Sequence, residues 1–115
     1  MWIEYLKERD PDIHVLSKAY GFATYKYLLQ ADGAWAVYIE DIYVIPEVRK
    51  SGAASELSEE VQKIAKLIGC SILLGTVCPT AKGSTGNIKV LIAHGMTVSH
   101  SEDNLIWFKK DLNNG

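Results

Sequence analysis

The spacing of apolar positions changes several times along the chain, and each change predicts an element. Residues 2–6, WIEYL, alternate and are rich in aromatic side chains, which predicts a short opening strand. Asp10-Pro11 then offers a capping carboxylate and a residue suited to the first helical position. Ile13, Leu16 and Tyr20 fall on one helical face with Val15 and Ala19 beside it, so a helix is expected as far as Gly21. Residues 22–30 read as a strand, 31–34 as a turn carrying the Asp-Gly hairpin signal, and 35–45 as the strand that pairs back. The clearest helix covers 52–68. Ala54, Leu57, Val61, Ile64, Ala65 and Ile68 form its apolar stripe, Glu56, Glu59, Glu60, Lys63 and Lys66 stay outside, and Gly69 closes it. Residues 71–77, SILLGTV, are almost continuously apolar, as in a parallel strand covered on both faces. A Gly/Ser/Thr-rich loop over 79–86 leads to a helix over 87–94 that ends at Gly95, and 96–100 with 105–110 form a terminal hairpin. The expected order is β-α-β-β-α-β-α-β-β. This is an α/β domain of the α+β type, with a mixed sheet and one right-handed parallel crossover.

Composition narrows the functional classes. At 115 residues, 48% apolar and 23% charged, the chain reads as one globular domain over 1–115. A net charge of -2 speaks against a nucleic-acid partner, which needs a strongly basic face. Charges interrupt the first ten residues too early for a secretory signal, and no apolar run approaches the length of a membrane span. A cytoplasmic location without membrane attachment is therefore expected. Cys70 and Cys78 bracket the predicted strand 71–77, which would hold them roughly 26 Å apart at about 3.3 Å per residue. That is beyond disulfide reach, so both are expected as thiols. No paired Cys/His spacing suggests a metal.

The stretch 38–57 concentrates the candidate chemistry. A strand runs through a turn marked by Pro46 into a helix that opens on Gly52, Ala53 and Ala54. Consecutive backbone N–H groups can converge on a phosphate there, because the side chains are too small to obstruct them and the helix dipole favours an anion. Arg49 and Lys50 can add charge to the same point. A turn kept small for tight strand-to-helix packing is the alternative reading of these residues by themselves.

The element order together with PEVRKSGAA resembles the GNAT acetyltransferase superfamily. Its cofactor motif, Arg/Gln-x-x-Gly-x-Gly/Ala, is matched by Arg49-x-x-Gly52-x-Ala54, and IEDIYVIPEVRKSGAAS is similar to the corresponding part of diamine acetyltransferases. The resemblance covers roughly residues 35–111, and the N-terminal third is shorter than the family norm. It implies a mixed, mostly antiparallel sheet and acetyl-CoA as co-substrate. The pyrophosphate would lie on Arg49, Lys50, Ser51, Gly52, Ala53 and Ala54, and the pantetheine arm on the main chain of Ile42, Tyr43 and Val44. Ser84 falls where the family often has asparagine, and Asn87 lies nearby out of register; both are candidates for the same arm.

The resemblance also assigns roles in catalysis. Glu40 matches the base that deprotonates the acceptor amine, and Asp41 its acidic neighbour, a contact for substrate charge. Strict alternation would put these two on opposite faces of the strand, and as residues alone both are equally solvated strand carboxylates. Leu91 occupies the position of the family's tyrosine acid and cannot protonate the departing thiolate; Tyr43, Cys78 or a water would have to substitute. The activity implied is transfer of an acetyl group to a primary amine, on a small molecule or a protein lysine. A degenerate domain that binds CoA or a protein partner without turnover is the alternative. In this family a homodimer through the terminal hairpin is also admissible.

Overall fold

A computed structural model describes residues 1–80, 91–92 and 95–113. Among these, helix α1 (Trp2–Arg9) precedes three antiparallel strands, β1 (His14–Lys18), β2 (Gly21–Leu29) and β3 (Trp35–Val44). A 3₁₀ turn over Pro46–Val48 leads to α2 (Ala53–Leu67), then β4 (Ile72–Val77) and the hairpin β5 (Thr97–Glu102) with β6 (Leu105–Asp111). The six strands form one sheet in the order β1-β2-β3-β4-β6-β5, and β3–β4, joined through α2, is its parallel pair. No helix among the described residues is long and apolar enough to cross a membrane.

The sheet buries one face against α2. Leu57, Val61 and Ala65 descend from the helix stripe onto Val37 of β3, Leu73 of β4 and Phe108 of β6. Phe108, Leu57, Val37 and Val61 are fully buried, and each such side chain contributes about 1.5–3 kcal/mol of transfer free energy. Leu57, Val61 and Ala65 of the expected stripe form the observed packing face, with Ala53 rather than Ala54 buried at its start, while Ile64 is half-buried and Ile68, beyond the last helical residue, is exposed. Gly69, at φ 108°, closes α2: its N–H donates to the Lys66 carbonyl and the Cys70 N–H donates to that of Ala65. The same pair of bonds recurs where Gly95 donates to Ile92 and Met96 to Leu91, so Leu91 and Ile92 end in the helix close expected there.

The first twenty residues depart from expectation. Residues 2–6 are helical rather than extended, and the expected helix after Asp10-Pro11 is instead strand β1, paired with β2 from His14 to Lys18. Five alternating residues are too short a run to separate the two periods, and charge decides for the helix: Glu4 lies in its first turn, Lys7 and Arg9 in its last. Asp10 caps the end of that helix rather than starting another, and Pro11 follows as a stop. Gly21 closes no helix but begins β2, where the β3 backbone comes so close that a Cβ would meet the Tyr43 carbonyl. His14 of β1 is exposed and lies against the rings of Tyr25 and Tyr27 at 5.4 and 4.8 Å between centroids. Cys70 and Cys78 flank β4 and form no disulfide.

Candidate active site

Two irregularities in β3 shape the site. The first is a bulge: Thr24 pairs with Asp41 and Tyr25 with Ile39, so Glu40 is an extra residue with no partner on β2. A bulge re-aims side chains and bends the strand. Before it, Val37 and Ile39 pack toward α2; after it, Ile42 and Val44 do, so the alternation shifts by one residue. Glu40 and Asp41 therefore share the face opposite α2, which corrects the expectation from strict alternation. The second irregularity is a parting of strands. Parallel pairing with β4 ends at Tyr38–Leu74, although β3 continues to Val44 and β4 to Val77. From Ile39 onward, the β4-facing edge of β3 has no strand partner among the described residues. The main chain of Ile42, Tyr43 and Val44 lies along this open edge.

Downstream, the turn takes the form its small residues permit. Lys50 and Gly52 adopt left-handed conformations at φ 66° and 90°, and Gly52 is the N-cap of α2, with no side-chain cap hydrogen bond among the described residues. The N–H groups of Ala53 and Ala54 have no acceptor within the helix and are the donors that an anion would use. A cavity of about 220 Å³ lies against Val44, Val48, Arg49, Lys50, Gly52 and Ala53. Arg49 is partly committed: its Nε donates to the Val44 carbonyl at 2.9 Å, and its guanidinium sits 5.6 Å from the centre of the Tyr43 ring. Ser51 Oγ donates to the Val48 carbonyl, so this hydroxyl secures the turn. Ser84 and Asn87 lie outside the described residues.

On the face opposite α2, a cavity of about 760 Å³ is walled by Trp2, Tyr5 and Arg9 of α1, with Glu40, Asp41 and Tyr43 of β3 across from them. Trp2 packs on Phe22 at 4.6 Å between ring centroids, and Phe22 stacks on Tyr43 at 5.5 Å. Thr24 Oγ1 donates to Asp41 at 3.2 Å, and the Lys26 ammonium is 3.1 Å from a Glu40 oxygen. Carboxylates beside aromatic faces suit a cationic amine. Helix α1 is the wall that sequence patterning misses, because the alternation over residues 2–6 predicts a strand. The apolar Leu91 lines a separate cavity of about 140 Å³ with Ile42, Ala54, Leu73 and Met96, on the α2 side of the parted strands. Lys26 and Asp10 were also missed. A cationic strand residue with a partner far along the chain leaves no periodic signal.

Comparison with known proteins identifies the family. The model of a family described as the acetyltransferase (GNAT) family matches residues 4–90. The chain belongs to the GNAT acetyltransferase family. It is 28% identical over 91 residues to an aminoglycoside N(6')-acetyltransferase type 1 of Acinetobacter genomosp. 13, covering 76% of this chain and 56% of that protein. It is 30% identical over 79 residues to the thialysine N-epsilon-acetyltransferase of Mus musculus, covering 69% and 46%. The chain thus spans about half the length of the curated relatives it matches. Among solved structures, a GNAT family acetyltransferase from Elizabethkingia anophelis with acetyl-CoA bound superposes with a TM-score of 0.68 at 14% identity, covering 94% of this chain and 82% of that one. At that identity the likeness speaks for the fold: a mixed, mostly antiparallel sheet with one parallel pair, as observed.

Proposed function

We propose that this GNAT domain transfers an acetyl group from acetyl-CoA to the primary amine of a small cationic molecule. The observation that carries the reading is the bulge at Glu40. It turns two neighbouring carboxylates into one aromatic-walled cavity at the point where β3 and β4 part. Acetyl-CoA fits the remaining features. Its pyrophosphate would lie on the turn over residues 49–54, with Ala53 and Ala54 N–H groups and the Arg49 and Lys50 charges as partners. Its pantetheine would pair with the open edge of β3 at Ile42, Tyr43 and Val44. The names of both relatives put the acetyl group on a nitrogen, and the Elizabethkingia neighbour holds acetyl-CoA. Such a reaction would run in the cytoplasm, where the thioester is available.

In this reading Asp41 holds the cationic acceptor and Glu40 takes the ammonium proton. The amine lone pair then attacks the thioester carbonyl, the C–N bond forms, the nitrogen gives up its second proton to solvent, and the C–S bond breaks as CoA leaves as thiolate. Leu91 contributes no proton to that thiolate. With a thiol pKa near 8.5, solvent protonates most of it at neutral pH. Loss of the acid therefore slows the reaction without preventing it.

The test combines a thermal-shift titration with acetyl-CoA and turnover measured by thiol release over a panel of amines. Stabilisation of the wild type is expected at large excess of acetyl-CoA. Glu40→Gln should keep that stabilisation and lose at least about tenfold in kcat, against the roughly 10²–10⁴-fold a general base typically contributes. Equal turnover in the variant would remove Glu40 as the base. Stabilisation with no turnover on any amine would leave a CoA-binding domain without catalysis.

A further inference from the structure

Lys26 joins two parts of the site that the chain places far apart. Its ammonium is 3.1 Å from a Glu40 oxygen and also pairs with the carboxylate of Asp10. Asp10 is a fixed anchor. Its N–H donates to the Leu6 carbonyl at 2.9 Å, while its own carbonyl and carboxylate accept the Ile13 and Asp12 N–H groups at 3.1 and 3.3 Å. Helix α1, which Asp10 terminates, buries none of its residues, so packing alone holds it weakly. Yet this helix supplies Trp2, Tyr5 and Arg9 to the cavity wall. One cation thus links the wall of the acceptor cavity to the carboxylate at the bulge.

We propose that Lys26 is a positioning residue for the transfer: it holds Glu40 in one orientation beneath the parted strands and latches α1 over the acceptor cavity. This rests on the reading of Glu40 as the base. Both hydrogen bonds, that to Asp10 first, raise the pKa of the Lys26 ammonium, so it stays charged and acts as a tether rather than as an acceptor amine. Once the cation is removed, Glu40 has no fixed partner and the cavity gains a net negative charge. A cationic acceptor would then bind at least as well while meeting a misdirected base. A residue with only a structural role would not separate binding from turnover in this direction.

The test compares Lys26→Met, Lys26→Arg and Asp10→Asn in the full chain by kcat, acceptor KM and the rate of tryptic cleavage after Lys7 and Arg9. Lys26→Met should lower kcat about tenfold with acceptor KM unchanged or reduced. Lys26→Arg, which keeps the charge and the donors, should restore kcat to within about twofold. Asp10→Asn loosens α1 as Lys26→Met does but removes a negative charge beside the cavity instead of a positive one, so it should raise acceptor KM more than it lowers kcat. It and Lys26→Met should both accelerate cleavage in α1 several-fold, a readout independent of turnover. Unchanged kcat in Lys26→Met, an arginine variant as slow as the methionine one, or unchanged cleavage would each overturn the proposal. So would peptide mass showing Lys26 itself acetylated after incubation with acetyl-CoA. A wild type inactive on every amine sinks the base assignment itself; an active wild type with an equally active Lys26→Met sinks only the role of Lys26.

Discussion

Gly21 offers a sharp test of how the end of β3 is held against its neighbour. It opens β2 opposite Val44, and the next backbone contact is the Ile45 N–H donating to the Tyr20 carbonyl at 2.9 Å. In Gly21→Ala the new methyl would collide with the Tyr43 carbonyl oxygen and lie 3.0 Å from Val44 Cα. Both obstacles are backbone, so no side chain can swing aside and the two strands must separate. Overpacking of this kind costs about 1–3 kcal/mol, and a weakened ladder bond adds roughly 1 kcal/mol, for about 2–4 kcal/mol in all. With a urea m-value of about 2 kcal/mol/M, the middle of the usual range, the midpoint should fall by roughly 1–2 M. Gly52→Ala is the control. Nothing lies within 4 Å of its Cβ position, so the cost is only the left-handed strain at φ 90°, about 1–2 kcal/mol. Urea unfolding followed by tryptophan fluorescence reads both. An unchanged midpoint in Gly21→Ala, or a larger loss in Gly52→Ala, would refute the claim that strand contact at Tyr43–Val44 is the tighter constraint.

Two further outcomes follow from the site. The hydrogen bond from Lys26, the largest influence on Asp10, holds its carboxyl below the ordinary aspartate value. The stability it contributes is therefore present above that ordinary value and is lost as pH falls through the depressed one. Asp10→Asn should flatten the acid side of stability against pH below about 4, measured by thermal melts across pH; an unchanged slope would show that the bridge does not form in solution. Leu91→Tyr returns a proton donor to the cavity shared with Ile42 and should raise kcat about tenfold with acceptor KM unchanged. No gain in single-turnover measurements would mean that solvent already protonates the thiolate fast enough.

Much of the chain is legible without coordinates wherever a local pattern is long or a residue type is chemically singular. The stripe from Leu57 to Ala65 could only face a core, Gly69 could only close its helix, and Arg49-x-x-Gly52-x-Ala54 could place small residues where a helix exposes its N–H groups. Each follows from neighbours within a few residues, which is the range over which period, capping and glycine conformation act. Only the tertiary structure decided the rest. Where the helix over residues 2–9 lies depended on Trp2 meeting Phe22 and Asp10 meeting Lys26. Whether Glu40 and Asp41 faced together depended on one unpaired residue opposite Thr24 and Tyr25. A bulge is a property of two strands in register, and an ion pair joining a helix end, a strand and a bulge is a property of three elements. Neither has a period for one stretch of sequence to display, and in this protein they assemble the acceptor side of the site.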